Sequence, residues 1–122
     1  MQKIITYGSY DLFHYGHARL LKRAKAMGDY LIVGLSTDSF NREKGKKSLQ
    51  TYAQRKEVLE SIKYIDEIIP ERNWNQKMKD INKYKAQFVM GDDWKGKFDE
   101  LGCKYIPRTK GISSTELKKV NK

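Results

Sequence analysis

Cysteine is almost missing from this chain. Cys103 is the only one in 122 residues, so no disulfide can close within it and a reducing compartment suits it. Standing alone, Cys103 reads as a small buried hydrophobe on a strand. Long apolar runs are missing too. The longest, residues 30–35, falls far short of a membrane span, and the first residues lack the apolar core of a secretory leader. A cytoplasmic protein with no membrane partner is the expectation. Histidine is scarce: His14 and His17 are the two present, and with one cysteine they do not reach the three or so protein ligands of a catalytic zinc site. No metal held by protein side chains is therefore expected. Internal repeats and low-complexity segments are not seen.

What is plentiful is positive charge, 25 Lys and Arg against 15 Asp and Glu, for a formal net charge of +10. Nucleic acid, an anionic membrane surface or small polyanions would each account for it. The basic residues are spread over nearly every segment, with no arginine-rich tail and no helix basic along one whole face. That spread favours small anions, or plain solubility, over a duplex. A hydrophobic share of 39% with 33% charged residues is ordinary for a globular protein, and the length fits one domain, residues 1–122.

The stretch that organises the chain is residues 8–17, Gly8-Ser9-Tyr10-Asp11-Leu12-Phe13-His14-Tyr15-Gly16-His17. It follows a short apolar strand and precedes apolar positions at helical spacing, so it is a strand-to-helix turn. Gly8 and Gly16 are expected to let the backbone turn sharply and approach a bound group. A helix N-terminus offers unpaired N–H groups and about half a positive charge. Two imidazoles placed there point to a phosphate.

Along the chain, strand one is expected over residues 3–7, and a helix follows that ends near Met27, stopped by Gly28 in a left-handed conformation. Residues 30–35 form a continuous apolar run, the mark of a strand covered on both faces in a parallel sheet. Residues 36–47 read as a polar, mobile connection. Thr51 and Gln54 form a capping box for a helix with Val58, Leu59, Ile62 and Ile65 on one side. A strand at 67–69 ends at Pro70. Asn73 and Gln76 repeat the capping pattern for a helix carrying Trp74, Met78, Ile81 and Tyr84. Strand four is residues 88–90, a short helix spans about 96–101, strand five is 104–106 before Pro107, and Ser113 with Glu116 caps a last helix.

Strands and helices alternate five times. The expected fold is α/β, a single-domain, Rossmann-like, five-stranded parallel sheet of order 3-2-1-4-5 with helices on both faces. Ligands collect outside the carboxyl ends of such strands where the order reverses. The 8–17 turn, the 91–94 turn and the 108–115 loop should converge there.

Several residues have a functional and a plainer reading. Lys44 and Lys46 flank Gly45 in a charged loop that is either solvated or supplies cations to a pocket where two anions meet. At ~4 Å and an effective dielectric of ~20, each pair of like unit charges repels by about 4 kcal/mol. Lys77 stands near the start of its helix, where the dipole does not favour a cation, so a substrate role is open. Residues 108–115 join Arg108 to Gly111 and a Ser-Ser-Thr run at a helix start, which is either a capped helix or a phosphate loop. Asp92 and Asp93 either cap a loop or hold nucleotide groups or magnesium, and Asp93 is the nucleotide-binding candidate. Asp11 and Asp38 are comparable, or brace the basic groups. Trp74 and Trp94 read as packing residues.

Residues 9–17 run small, aromatic, Asp, two apolar positions, His, any residue, Gly, His, and so resemble the HxGH motif of the nucleotidyltransferase superfamily. Residues 4–117 resemble, more narrowly, the glycerol-3-phosphate cytidylyltransferases of Gram-positive bacteria, notably at 30–41, 55–74, 88–99 and 108–115. The Gly-Asp-Asp-Trp turn paired with the closing Arg-Thr-x-Gly-Ile-Ser run narrows the likeness to the cytidylyltransferase branch. What the resemblance implies is CMP transfer from CTP, with magnesium (Mg2+), to glycerol 3-phosphate, giving CDP-glycerol for teichoic acid or a related polymer, by a homodimer. Ser9 and Tyr10 would lie against CTP, and His14 and His17 would hold its phosphates. Lys46 would contact the triphosphate, and Lys44 and Lys77 would bind glycerol phosphate. Arg108, Thr109, Gly111, Ile112, Ser113, Ser114 and Thr115 would take the β and γ phosphates and part of the nucleotide. Lys63 stands where an arginine is frequent in the family and is a supporting residue, as are Asp11 and Asp38.

Two rivals stand beside this reading. One is a cytidylyltransferase for choline phosphate or ribitol phosphate, because nothing in the pattern reads the carbon skeleton. An aromatic cage would favour choline, and the tyrosines do not assemble one. The other is a basic nucleic-acid-binding module, with affinity falling steeply in salt and no dependence on the histidines.

Overall fold

The structure, a computed structural model, describes residues 1–107. The expected phosphate loop at 108–115 and the last helix lie outside the described residues. Five strands, β1 (Lys3–Gly8), β2 (Tyr30–Ser36), β3 (Glu67–Glu71), β4 (Gln87–Gly91) and β5 (Lys104–Ile106), form one parallel sheet in the order β3-β2-β1-β4-β5. Four helices are described: α1 (Tyr15–Ala26), α2 (Asp38–Glu43), α3 (Tyr52–Glu60) and α4 (Gln76–Tyr84).

Side chains alternate across a strand, so neighbouring apolar residues serve different cores. Ile4, Leu31, Val33, Leu35 and Val89 pack on Leu21 and Ala24 of α1 and Leu59 of α3. Ile5, Ile32, Phe88 and Met90 face the other way, against Ile81 and Tyr84 of α4. Helices on both faces explain why β2 is apolar throughout instead of alternating. Each such side chain, fully buried, contributes roughly 1.5–3 kcal/mol.

Several local expectations change. Gly28 does not end α1 in a left-handed conformation, since the described glycines with positive φ are Gly45, Gly96 and Gly102. Its lack of a Cβ serves packing, because one would meet the Gln2 carbonyl oxygen at 2.6 Å. The supposed mobile connection after β2 contains α2, nucleated by Thr37, whose side chain accepts from the Phe40 N–H at 3.2 Å. α3 begins at the expected Thr51–Gln54 box but stops at Glu60, and Ile62 and Ile65 reach the core from the turns that follow. Pro70 does not end β3, which continues to Glu71. β3 is an edge strand, where a missing N–H is tolerated.

The Asn73–Gln76 cap is not formed. Asn75 occupies the cap position without a side-chain bond, and Gln76 accepts from the Arg72 N–H instead. Trp74 precedes α4, and Met78 sits on its exposed face. The helix expected over 96–101 is reduced to a 3-10 turn at Asp99–Leu101. Cys103 is half-buried just before β5 and not on it, and its burial pushes the thiol up to about 11.

Candidate active site

β1 and β4 share a short ladder, Ile4 with Gln87 and Ile5 with Phe88. Beyond it the two strands are not paired with each other, each keeping only its outer neighbour, β2 or β5, and the expected crevice opens between them. The turn leaving β1 is not made by its glycines. Tyr10 and Leu12 take the left-handed conformation, with φ of 49° and 51°, a costly choice for residues with side chains and one that marks functional turns. Gly8 is needed for a different reason: a Cβ there would sit 2.8 Å from the Tyr10 ring. That ring is buried, 5% exposed, against Phe13 and His17. The Tyr10 ring thus builds the floor behind the histidines, which leaves the backbone of Ser9 and Tyr10 as the part of the turn that could meet a nucleotide.

His14 is the N-cap of α1 and His17 the third residue inside it, and the two cap each other. His14 Nδ1 accepts from the Gly16 N–H at 3.0 Å, and His17 Nδ1 accepts from the His14 N–H at 3.2 Å. An Nδ1 that accepts carries no proton, so each neutral ring holds its hydrogen on Nε2. The rings stack with centroids 3.9 Å apart. Burial, and then the neighbouring His14, push His17 down to about 3, and burial lowers His14 as well. At neutral pH both rings are thus uncharged, each with its hydrogen on Nε2, at the positive end of a helix. Among the described residues His14 Nε2 is buried with no hydrogen-bond partner, an orphan of the kind a bound anion would satisfy.

Behind the histidines the loops are tied together. Asp11, 4% exposed, accepts from the Leu49 and Gln50 N–H groups at 2.9 and 3.0 Å, so it braces the loop after α2. Ser9 donates its hydroxyl hydrogen to Asn41 Oδ1 at 2.8 Å. Arg55, fully buried on α3, donates to the carbonyl oxygens of Ser9, Ser36 and Gln50 and to Asp38 Oδ1, at 2.8–3.2 Å. Asp38 also accepts from the Tyr52 N–H, and that bond, then Arg55, hold its carboxyl below the usual range. Both aspartates act as braces.

In the crevice lies a cleft whose lining includes Lys44, Lys46 and Lys77 together with Glu71. Three cations against one carboxylate make it a site for anions. Gly45, at φ 75°, turns the chain between the first two lysines. Lys44 Nζ lies 4.6 Å from the Phe40 ring centroid, and desolvation pulls its ammonium down to about 8. Lys46 Nζ lies 5.6 Å from the Trp94 centroid. Lys77, 5% exposed, pairs with Glu71 at 2.5 Å and is walled by aromatic rings.

The structure thus brings together three of the lysines named from the sequence and, on the adjoining turn, the two histidines, which do not line the lysine cleft itself. Asp93 is exposed on a 3-10 turn, Asp92–Trp94, outside the cleft lining. Lys63 is corrected: it is exposed in the turn before β3, at the amino ends of the strands, with its ammonium 5.4 Å from the Tyr64 centroid. Arg108, Thr109, Gly111, Ile112, Ser113, Ser114 and Thr115 lie outside the described residues. Among the described residues no three His, Cys, Asp or Glu side chains gather as a metal site, and Glu71 is already paired, so the described side chains do not form a magnesium cage.

Sequence reasoning missed Arg55, Glu71 and the aromatic walls. Arg55 had a signal, since it stands four residues before Leu59 and so on the buried face of α3. Trp74 and Trp94 were read as packing, yet both line the cleft, and Trp74 remains 50% exposed.

A family profile described as cytidylyltransferase-like matches residues 5–120. Glycerol-3-phosphate cytidylyltransferase of Bacillus spizizenii is 60% identical, over 98% of this chain and 96% of its own. That of Staphylococcus aureus is 57% identical over 97% of this chain and 93% of its own. Ethanolamine-phosphate cytidylyltransferase of Mus musculus is more distant, 33% identical over 90% of this chain and 30% of its own. Among solved structures, a lipopolysaccharide core biosynthesis protein of Thermoplasma volcanium aligns with a TM-score of 0.73 and 27% identity, covering 92% of this chain and 99% of that one. Sheet order, motif and these likenesses agree that the chain belongs to the cytidylyltransferase-like family.

Proposed function

We propose that this chain transfers CMP from CTP to sn-glycerol 3-phosphate, forming CDP-glycerol and pyrophosphate. The observation that carries the reading is the mutually capped His14–His17 pair, with His14 Nε2 unpartnered among the described residues, beside a cleft lined by three lysines. An acceptor phosphate oxygen attacks the α-phosphorus of CTP, and the bond to pyrophosphate breaks. The attacking oxygen is already anionic, so no nucleophilic side chain or general base is needed. What the protein supplies is alignment and positive potential. The two Nε2–H groups donate to phosphate oxygens as charge shifts toward pyrophosphate. Lys44 and Lys46 offset the repulsion between two anionic substrates. Arg108 and the 109–115 loop belong to this reading as the triphosphate contacts.

Magnesium enters the proposal as part of the substrate, carried on the triphosphate oxygens. A homodimer, a cytoplasmic location and delivery of the product to teichoic acid or a related polymer complete it. Among the described residues no helix is long and apolar enough to cross a membrane.

The test is to incubate the protein with CTP, magnesium and, separately, glycerol 3-phosphate, ribitol phosphate and choline phosphate, and to follow pyrophosphate. Release with glycerol 3-phosphate far above the others is expected. Release favouring another alcohol moves the assignment to that substrate, and silence throughout, with salt-sensitive binding to nucleic acid, overturns it.

A further inference from the structure

The cleft contains an aromatic cage that the chain fills with its own ammonium. Lys77 Nζ lies 5.0, 5.3 and 5.4 Å from the ring centroids of Tyr7, Phe98 and Trp74. Its one ion-pair partner in the described structure is Glu71, whose side chain is 1% exposed. Three rings within cation–π distance and one buried carboxylate form the box that recognises an alkylammonium ligand. Lys77 reaches it from the first turn of α4, where the helix dipole disfavours a cation, so the box and not the helix holds the charge in place.

We propose that Lys77 is a specificity-determining residue: by occupying a latent alkylammonium site it excludes amino-alcohol phosphates and leaves a neutral hydroxylated acceptor as the substrate. An ethanolamine phosphate entering beside Lys44 would bring a second ammonium to a box already filled, with no carboxylate left for it. Removing the lysine beyond Cβ vacates Cγ, Cδ, Cε and Nζ. The ethanolamine carbon chain and its primary ammonium fit that space, and the ammonium can donate to Glu71 as Lys77 does. Choline's three methyl groups need more room and offer no N–H, so ethanolamine phosphate is the predicted gain. This inference rests on the acceptor assigned above.

The experiment uses Lys77→Ala in the full chain. The ratio of kcat/KM for ethanolamine phosphate to that for glycerol 3-phosphate should rise by roughly 100-fold or more over the parent protein. A ratio left unchanged in a folded, active variant overturns the proposal. A second measurement does not depend on turnover. Lys77→Ala leaves Glu71 buried without its ion-pair partner, so methylammonium should raise the variant's Tm and quench Trp74 fluorescence with saturation. The parent protein, its box filled, should show neither. Equal responses in both proteins, or none in either, sink the cage. Saturation confined to Lys77→Ala, with no cytidylyl transfer by the parent, would uphold the cage and overturn the assigned reaction.

Discussion

A single residue, His14, does two jobs with two nitrogens. Nδ1 caps the start of α1, and Nε2, without a partner among the described residues, is the donor the proposed reaction assigns to phosphate. The jobs separate on substitution. In His14→Asn the side-chain oxygen reproduces the cap while the ring N–H is lost, so kcat should fall by roughly 100- to 1,000-fold with little change in urea midpoint. In His14→Ala the cap goes as well, for about 1 kcal/mol of additional stability loss. A normal kcat in His14→Asn would remove the residue from the chemistry. Lys44 offers a pH test. Its ammonium titrates near 8 in the free protein because burial disfavours the charged form. The cation is present below that pH and lost above it, so kcat/KM for the acceptor should decline above pH 8. Lys44→Arg, which stays charged, should push the decline to higher pH.

Among the elements, α3 is the one that holds the site's loops in register. Its Arg55 grips the backbone of the turn after β1, the end of β2 and the loop before α3 itself. Arg55→Met leaves three carbonyl oxygens without their donor, and stability should fall by about 3 kcal/mol or more in urea unfolding. Because the lysine loop and the histidine turn are both hung from that guanidinium, kcat should drop even under conditions where the variant is fully folded. Elements were legible where a local rule governs them. The Thr51–Gln54 box and the apolar run of β2 each announce themselves within a few residues. α2 was not legible, because a short helix with a polar exterior carries little hydrophobic pattern and Thr37 alone gives its start. Pro70 misled because only the sheet order reveals that β3 lies at the edge.

At the scale of the molecule, sheet order followed from alternation plus right-handed crossovers, and it placed the crevice correctly. The aromatic cage could not be read in the same way. Its walls come from β1, from the segment before α4 and from the segment after β4, and no spacing in the sequence links them. Global stability carries the signature of the histidine pair. An unfolded histidine takes up a proton below about pH 6.5, whereas folded His17 resists until about 3. Between those values the unfolded chain binds more protons, so stability is full above 6.5 and declines as pH falls toward 3. His17→Gln, which keeps an acceptor for the His14 N–H, should flatten part of that decline in denaturation midpoints measured across the window.

Gly34 lies at the centre of β2, and a Cβ added there would stand 2.2 Å from the Tyr7 ring. That ring leans edge-on against Phe88, bonds Asp80 through its hydroxyl at 2.9 Å and walls in Lys77. Even one methyl group on the middle of the sheet must therefore displace a ring that walls the lysine cleft. If the proposed cage sets the choice of alcohol, that choice depends in turn on the bare backbone of Gly34 behind it.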